Sequence, residues 1–333
     1  MKNYDVYAIG NALVDYEFKV SENDLKTLSV DKGIMTLIDE NRHAVLLEYL
    51  GNSYTKKACG GSAANSIIAV SQLGGSSFYS CKVADDASGD FYLNDLSSFG
   101  VDINKTSIIK DHITGECFVL VTDDAARSMN TFLGATQTLT KEVINEEAIK
   151  SSQFLYIEGY LSSEPLALEA ALESQRIAHE NEVKVALTLS DPNMVRFCRD
   201  GLDSIVNNGL DLLFCNEQEA IEYAKCDDVI SAIPILEKHA ETVVITLGPR
   251  GVMVCHGEEV IEVPTSAVNA IDTTGAGDMF AGAFLYALTQ GQTHEIAAKL
   301  ANYASGLIIQ KFGPRLESAD AKLIQNFAKG VFI

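Results

Sequence analysis

"IDTTGAGDMFAGAFLYAL", residues 271–288, sets two threonines, three small residues and an acid directly in front of a long apolar-periodic run. Apolar residues at 279, 280, 283, 284, 287 and 288 define a broad face for burial and predict a helix over about 276–290. The loop Asp272-Thr273-Thr274-Gly275-Ala276-Gly277 then stands at a helix mouth, where the unpaired N–H groups of the first turn carry partial positive charge. Gly275 and Gly277 let an anion approach that backbone closely. Asp278 follows in the first turn, beside those amides, where the ionised form is favoured. Such an acid next to a bound phosphoryl group can accept the proton of an attacking hydroxyl. A plain capped helix after a tight turn would use the same residues.

Spacing excludes two other phosphate-binding designs. A Walker A loop needs Lys and then Ser or Thr after its last glycine, and Asp278-Met279 stands there. A dinucleotide fingerprint begun at Gly275 needs Gly or Ala at 280, which is Phe280, and belongs after a first strand rather than near the end of the chain.

The rest of the chain is that of a large globular protein. Its 333 residues, 47% of them hydrophobic, are enough for one large domain, or a domain with an appendage. A formal charge of −21 argues against nucleic acid or an anionic membrane as partner, while leaving room for a local basic pocket around a small anion. The seven cysteines form no C-x-x-C pair and no zinc-spaced cluster, and most stand in apolar contexts, as expected of buried thiols in a reducing compartment. The start, "MKNYDVYAIGNALVD", lacks the apolar core and cleavage site of a signal peptide, and no apolar run reaches the roughly 18 residues a membrane span requires. A cytoplasmic location is the expectation.

From about residue 150, short β-rich runs ("FLYIEG", "KVALTLS", "LDLLFC", "TVVITLG") alternate with helical patterns, the signature of a parallel sheet flanked by helices. The intervening helices are expected at "PLALEAALESQRIAHE", at "PNMVRFCRDGLDSIV" read as one, and at "EQEAIEYA"; further helices are expected over 294–311 and 318–329. Earlier, "YDVYAIG" and "SSFYSCKV" read as core strands, and "SAANSIIAVSQLG" as a helix stopped by Gly74 and Gly75. Two stretches break this rhythm, residues 12–56 and 104–133. The second alternates polar and apolar residues around turn signals and reads as antiparallel hairpins. The expected organisation is an α/β core of residues 1–11, 57–103 and 134–333, with 12–56 and 104–133 forming a small β lid over one edge.

The loop at 272–278 resembles the C-terminal signature D-T-x-G-A-G-D of the ribokinase-like carbohydrate and nucleoside kinases, the PfkB family, and matches it at every position. The resemblance implies a three-layer α/β/α core with a β-sheet lid, and transfer of a phosphoryl group from ATP to an alcohol. It makes the Gly275, Ala276 and Gly277 amides an anion hole and Asp278 the base. "GGSAANSIIAVSQLGG", residues 60–75, is similar to the family's N-terminal signature G-G-x-x-x-N, and by itself would also suit a core helix. Gly60 and Gly61 would form a hinge against the substrate, and Asn65 can offer a hydroxyl both a donor and an acceptor. Gly10-Asn11-x-x-x-Asp15 is similar to the adenosine-kinase branch, where Asp15 would hold two vicinal ribose hydroxyls and Asn11 would add a polar contact. An ordinary Asx turn is the alternative there.

The same resemblance gives the remaining candidates. Asn216 and Glu219 form N-x-x-E, a capping box that in the family also acts on magnesium, largely through water. Thr246, Gly248 and Gly251 of "TLGPRG" border the ATP site, with Asn302 facing the adenine. Arg127 of the lid can neutralise the phosphoryl group, or be an ordinary surface cation, and Tyr160 can stack on a base, or be a core tyrosine. Asp272 and Thr274 lie where many members bind a monovalent cation such as potassium. The substrate expected is adenosine or a related nucleoside, phosphorylated at its 5′-hydroxyl. A free-sugar kinase for ribose or a ketose is the nearest alternative, followed by a non-catalytic nucleoside-binding protein and then a dinucleotide oxidoreductase. A homodimer through the lid edge is left open.

Overall fold

The computed structural model describes residues 2–124 and 126–332. Its centre is a nine-stranded sheet in the order Glu259–Val263, Val252–His256, Ala240–Thr246, Leu210–Asn216, Lys184–Thr188, Ser152–Glu158, Tyr4–Ile9, Ser77–Ser80 and Val101–Ile103. Pairing is parallel from Ala240–Thr246 to Val101–Ile103, and the two remaining strands add antiparallel at the edge.

Alternate residues of each strand enter opposite cores. Val6 and Ala8 face one apolar cluster while Tyr7 and Ile9 face the other, and all four are fully buried. Burial on both faces is why these strands read as continuous hydrophobic runs. Helices Ser62–Leu73, Ala276–Thr289, His294–Ile308 and Ser318–Val331 cover the first face. Those from Glu146 to Leu236 cover the second. The expected three-layer α/β/α architecture is the one observed.

Local chemistry sets most helix ends. Pro165 opens Pro165–Glu180, and the reciprocal bonds of Asn216 and Glu219 open Glu217–Ala224. Gly74, at φ 105°, closes Ser62–Leu73 in the left-handed conformation. The run 192–206, expected as one helix, is two, Pro192–Phe197 and Arg199–Val206. The second segment docks on the turn at Gly159–Ser163, where Gly201 approaches Ser162 so closely that a Cβ would stand 2.3 Å from its carbonyl oxygen.

The lid is a five-stranded sheet ordered Met35–Leu37, Arg127–Phe132, Gly115–Val121, Leu13–Lys19 and Lys56–Gly60. It differs from the sequence expectation in three ways. Only Gly115–Val121 with Arg127–Phe132, and Leu13–Lys19 with Lys56–Gly60, pair antiparallel; Leu13–Lys19 with Gly115–Val121, and Met35–Leu37 with Arg127–Phe132, are parallel. The region 12–56 also holds two helices, Glu22–Thr27 and Glu40–Leu50, started by the caps Ser21 and Asp39. Their Leu25, Leu46 and Leu50 pack on Phe18, Phe118 and Leu120 of the sheet, giving it a core of its own. Finally, the sheet continues past residue 56 to Gly60, while Ile108–Ile109 pairs with Val83–Ala84 instead of joining it.

Candidate active site

The carboxyl ends of the central strands, the mouth of Ala276–Thr289 and the inner face of the small sheet meet in one place. The helix mouth is built by Gly275, at φ 77°, packed so tightly on Pro314 that a Cβ would stand 2.4 Å from that proline's Cβ. Any side chain there meets both backbone strain and a clash. Beside Gly277 the space is open, so a ligand can reach the first-turn amides. Asp272 braces the loop, accepting from the amides of Thr274 and Gly313, each at 2.9 Å. Burial works against its charge, yet those two amides hold its carboxyl below the usual range.

Asp278 is half-buried, with both oxygens held from the opposite side of the cleft. Ser62 Oγ donates to Oδ1 at 2.6 Å, and Asn65 Nδ2 donates to Oδ2 at 2.8 Å. Sequence reasoning expected the helix mouth to keep this acid ionised. Burial raises its pKa, and only part of the rise is offset by Ser62, Asn65 and the charge of Arg315.

The opposite wall comes from Gly10–Asp15 and Gly60–Asn65. Gly61, at φ 95°, lies against the Asn11 carbonyl, where a Cβ would stand 2.4 Å from the oxygen. Asp15 folds over Gly60, which has no side chain to obstruct it. Burial lifts the Asp15 pKa to about 7, against the pull of Arg315, Arg127 and Lys56 and with a further push from Asp278. Asn11 presents its side-chain oxygen to Thr136 Oγ1 at 3.3 Å.

Three residues of this wall were not singled out in the sequence. Ser62 lies inside the glycine signature. Glu158, 1% exposed at the end of its strand, accepts from the amides of Asn11 at 3.3 Å and Ala63 at 2.8 Å, fastening the Gly10–Asp15 and Gly60–Asn65 segments together. Burial lifts its pKa to about 7, opposed by those amides and reinforced by Asp278. An acid at the end of the apolar run "FLYIEG" was the available signal. Arg315, in "KFGPRL", reaches back to Asn65 Oδ1 at 2.9 Å.

A cavity of about 390 Å³ opens on the other side of the glycine loop. Thr246, Gly248, Gly251, Gly277 and Asn302 all line it, with Phe280 supplying apolar wall. Asn302 turns its amide nitrogen into that wall, donating to the carbonyl of Val263 at 2.9 Å, so its NH2 group is committed to the wall and not to a ligand. Asn216 pairs with Thr246 across the sheet, which brings the N-x-x-E element to the same end. Both Glu219 oxygens accept from Asn216, at 2.9 Å from its backbone and 2.6 Å from its side chain. Burial raises the Glu219 pKa to about 7. Among the described residues no group of three or more His, Cys, Asp or Glu is arranged to hold a metal ion. With both oxygens bonded to Asn216, Glu219 would meet a metal only through intervening water.

Two further candidates lie differently from one another. Arg127 is at the cleft, 3.1 Å from Glu17 and 3.8 Å from Asp272, linking the small sheet to the glycine loop. Tyr160, half-buried, packs against the apolar cluster on the second face of the main sheet, in the short helix Gly159–Ser163. Burial pushes its phenol well above the ordinary range, with Asp191 and Glu158 adding to the rise.

This geometry accompanies a match over residues 28–321 to the pfkB family carbohydrate kinases. The chain belongs to that family: it is a kinase, a phosphotransferase acting on an alcohol group, and kinases of the family use ATP. It is 30% identical to a ribokinase of Haemophilus influenzae over 77% of this chain and 82% of that one. Among solved structures, the adenosine kinase of Sinorhizobium meliloti superposes with a TM-score of 0.88 at 35% identity, covering 98% of this chain and all (100%) of the other. A probable sugar kinase from Rhizobium etli superposes with a TM-score of 0.90 at 34% identity over 100% of both chains. No helix among the described residues is long and apolar enough to cross a membrane.

Proposed function

We propose that this kinase transfers the γ-phosphoryl group of ATP to the 5′-hydroxyl of adenosine or a closely related nucleoside. The observation that carries the reading is the position of Asp278: its backbone follows the glycine loop beside the 390 Å³ cavity, and its carboxylate is held by Ser62 and Asn65 from the facing wall. One carboxylate thus stands where two ligands would meet. Asp15, with Asn11, accepts from the ribose hydroxyls, and the adenine of ATP occupies the cavity lined by Thr246, Gly248, Gly251 and Asn302.

Asp278 takes the proton of the 5′-hydroxyl as that oxygen attacks the γ-phosphorus, and the bond to the β-phosphate oxygen breaks to release ADP. The amides at 275–277 face the charge spread over the transferred group, and Arg127 adds a positive fork from the small sheet. Magnesium, when bound with ATP, supplies charge neutralisation on the phosphates, with Glu219 assisting through water. A monovalent cation beside Asp272 would have to share a carboxylate already bonded to two amides. The exposed edge strand Met35–Leu37 is the place where a second copy of the small sheet would pair.

The nucleoside reading is supported by the match to an adenosine kinase over nearly the whole chain, against a shorter overlap with ribokinase. The free-sugar alternative is favoured by the similar score of the probable sugar kinase. ADP release measured with adenosine, inosine, guanosine, ribose and fructose 6-phosphate separates the two. Turnover confined to the free sugars overturns the nucleoside assignment, and turnover of none of them overturns both.

A further inference from the structure

We propose that Arg315 is a positioning residue for the base: its guanidinium fixes the direction of the Asn65 amide, which in turn aims the Asp278 carboxylate at the acceptor hydroxyl. The inference rests on the reading of Asp278 as base.

Arg315 donates from Nε to Asn65 Oδ1 at 2.9 Å and from Nη2 to the carbonyl of Cys59 at 2.9 Å, and pairs through Nη1 with Asp95 at 3.2 Å. An amide has one accepting and one donating end. With a permanently charged donor on Oδ1, the NH2 end of Asn65 must face Asp278, where it donates at 2.8 Å. The reversed amide would set oxygen against carboxylate and NH2 against guanidinium, two repulsive contacts in place of two attractive ones. Since Ser62 fixes the other carboxylate oxygen, the plane of the base is then defined.

The guanidinium is itself held firmly. Only 15% of the Arg315 side chain is exposed, and its planar end lies 5.8 Å from the centre of the Phe99 ring. The two residues before it grip the glycine loop, Gly313 through its amide on Asp272 and Pro314 by filling the space beside Gly275. Three consecutive residues near the C-terminus thus brace the anion loop and the base together.

Arg315 also counters negative charge. The titratable groups facing Asp278 from the surrounding elements are Asp15 on Leu13–Lys19, Tyr156 and Glu158 on Ser152–Glu158, and Tyr160 just beyond. Arg315 is the cation whose charge favours ionised Asp278 among them. Its removal leaves the base among carboxylates and raises the pH needed to deprotonate it.

The experiment uses the full chain with Arg315→Met, Arg315→Lys and Asp278→Asn, reading kcat and KM for adenosine and ATP across a pH series, with thermal melting alongside. For Arg315→Met, kcat should fall about 10- to 100-fold, with KM for ATP within about twofold of wild type and the acid limb of kcat displaced to higher pH. Arg315→Lys should keep the acid limb near its original place, because the charge remains, yet lose kcat, because an ammonium cannot bridge Asn65, Cys59 and Asp95 together. Wild-type kcat in Arg315→Met overturns the inference, as does a loss that follows the melting temperature with the acid limb unmoved. Should Arg315→Met fail to fold, Arg315→Lys decides, with wild-type kcat overturning the inference and reduced kcat at an unmoved limb supporting it. Full turnover in Asp278→Asn removes the base assignment itself, and this inference with it. An inactive Asp278→Asn beside a wild-type-like Arg315→Met removes only the role of Arg315.

Discussion

The carboxylate of Asp15 lies so close over Gly60 that a Cβ on that glycine would stand 2.6 Å from Oδ2. The two residues lie on adjacent antiparallel strands, where Leu13 is opposite Gly60 and Asp15 opposite Ala58. Because the carboxylate uses the space a side chain would take, Gly60→Ala should turn Asp15 away from the cleft. The expected outcome is a KM for the acceptor raised about tenfold or more, with KM for ATP little changed. Steady-state kinetics with each substrate varied in turn reads this directly, and an unchanged acceptor KM would show that Asp15 does not hold the acceptor.

Asp278→Asn keeps the size of the side chain and its place between Ser62 and Asn65 while removing the proton acceptor. Turnover should fall by about a hundredfold to ten-thousandfold, the usual contribution of a general base. Adenosine binding, followed by calorimetry, should change far less. Loss of binding equal to the loss of turnover would assign the residue to holding the acceptor instead.

Glu158 carries a stability prediction with a definite sign. Its pKa is raised to about 7 in the folded chain, so the native state binds this proton more tightly than the unfolded one, and the stabilisation grows as pH falls through that value. Asp15 and Glu219, also raised to about 7, act in the same direction. The ligand-free protein should therefore melt a few degrees higher at about pH 6 than at about pH 8. Glu158→Gln should reduce this slope. Calorimetric melts at several pH values measure it, and a melting temperature that falls on acidification over this range would refute the assignment.

Gly275→Ala tests the helix mouth. The substitution meets the positive φ, which costs about 1–2 kcal/mol for a residue with a side chain, and the contact with Pro314. Displacing Pro314 should disturb its neighbours Gly313 and Arg315, so kcat should drop well beyond what the stability loss explains. Parallel melting and turnover measurements separate the two effects.

What the sequence made legible was local. Pro165 and the Asn216–Glu219 reciprocal cap placed the starts of their helices, and both signatures announced glycines at a helix start, one of them with an acid beside it. The pairing of Leu13–Lys19 with Gly115–Val121 was not legible, because a parallel partner about a hundred residues away leaves no trace in either strand's own alternation. Helices in 12–56 were missed because their short apolar stripes become informative only once Phe18 and Phe118 supply a surface to pack on. Arg315 belongs to neither signature; its partner Asn65 is 250 positions earlier, and no spacing rule reaches so far. The helix mouth beside Asp278 is visible in the sequence, while the burial that pushes its pKa upward is not.

The location of Tyr4–Ile9 in the main sheet has a bearing on how the chain comes off the ribosome. That strand is hydrogen-bonded on one side to Ser77–Ser80 and on the other to Ser152–Glu158, so it cannot be enclosed until translation has reached residue 158. Until then a nascent chain carries an apolar ribbon with an open edge, the kind of surface that chaperones shield. The price of threading this early segment through the middle is a long vulnerable interval, and a polypeptide interrupted before residue 152 would be a substrate for quality control instead of a half-built enzyme.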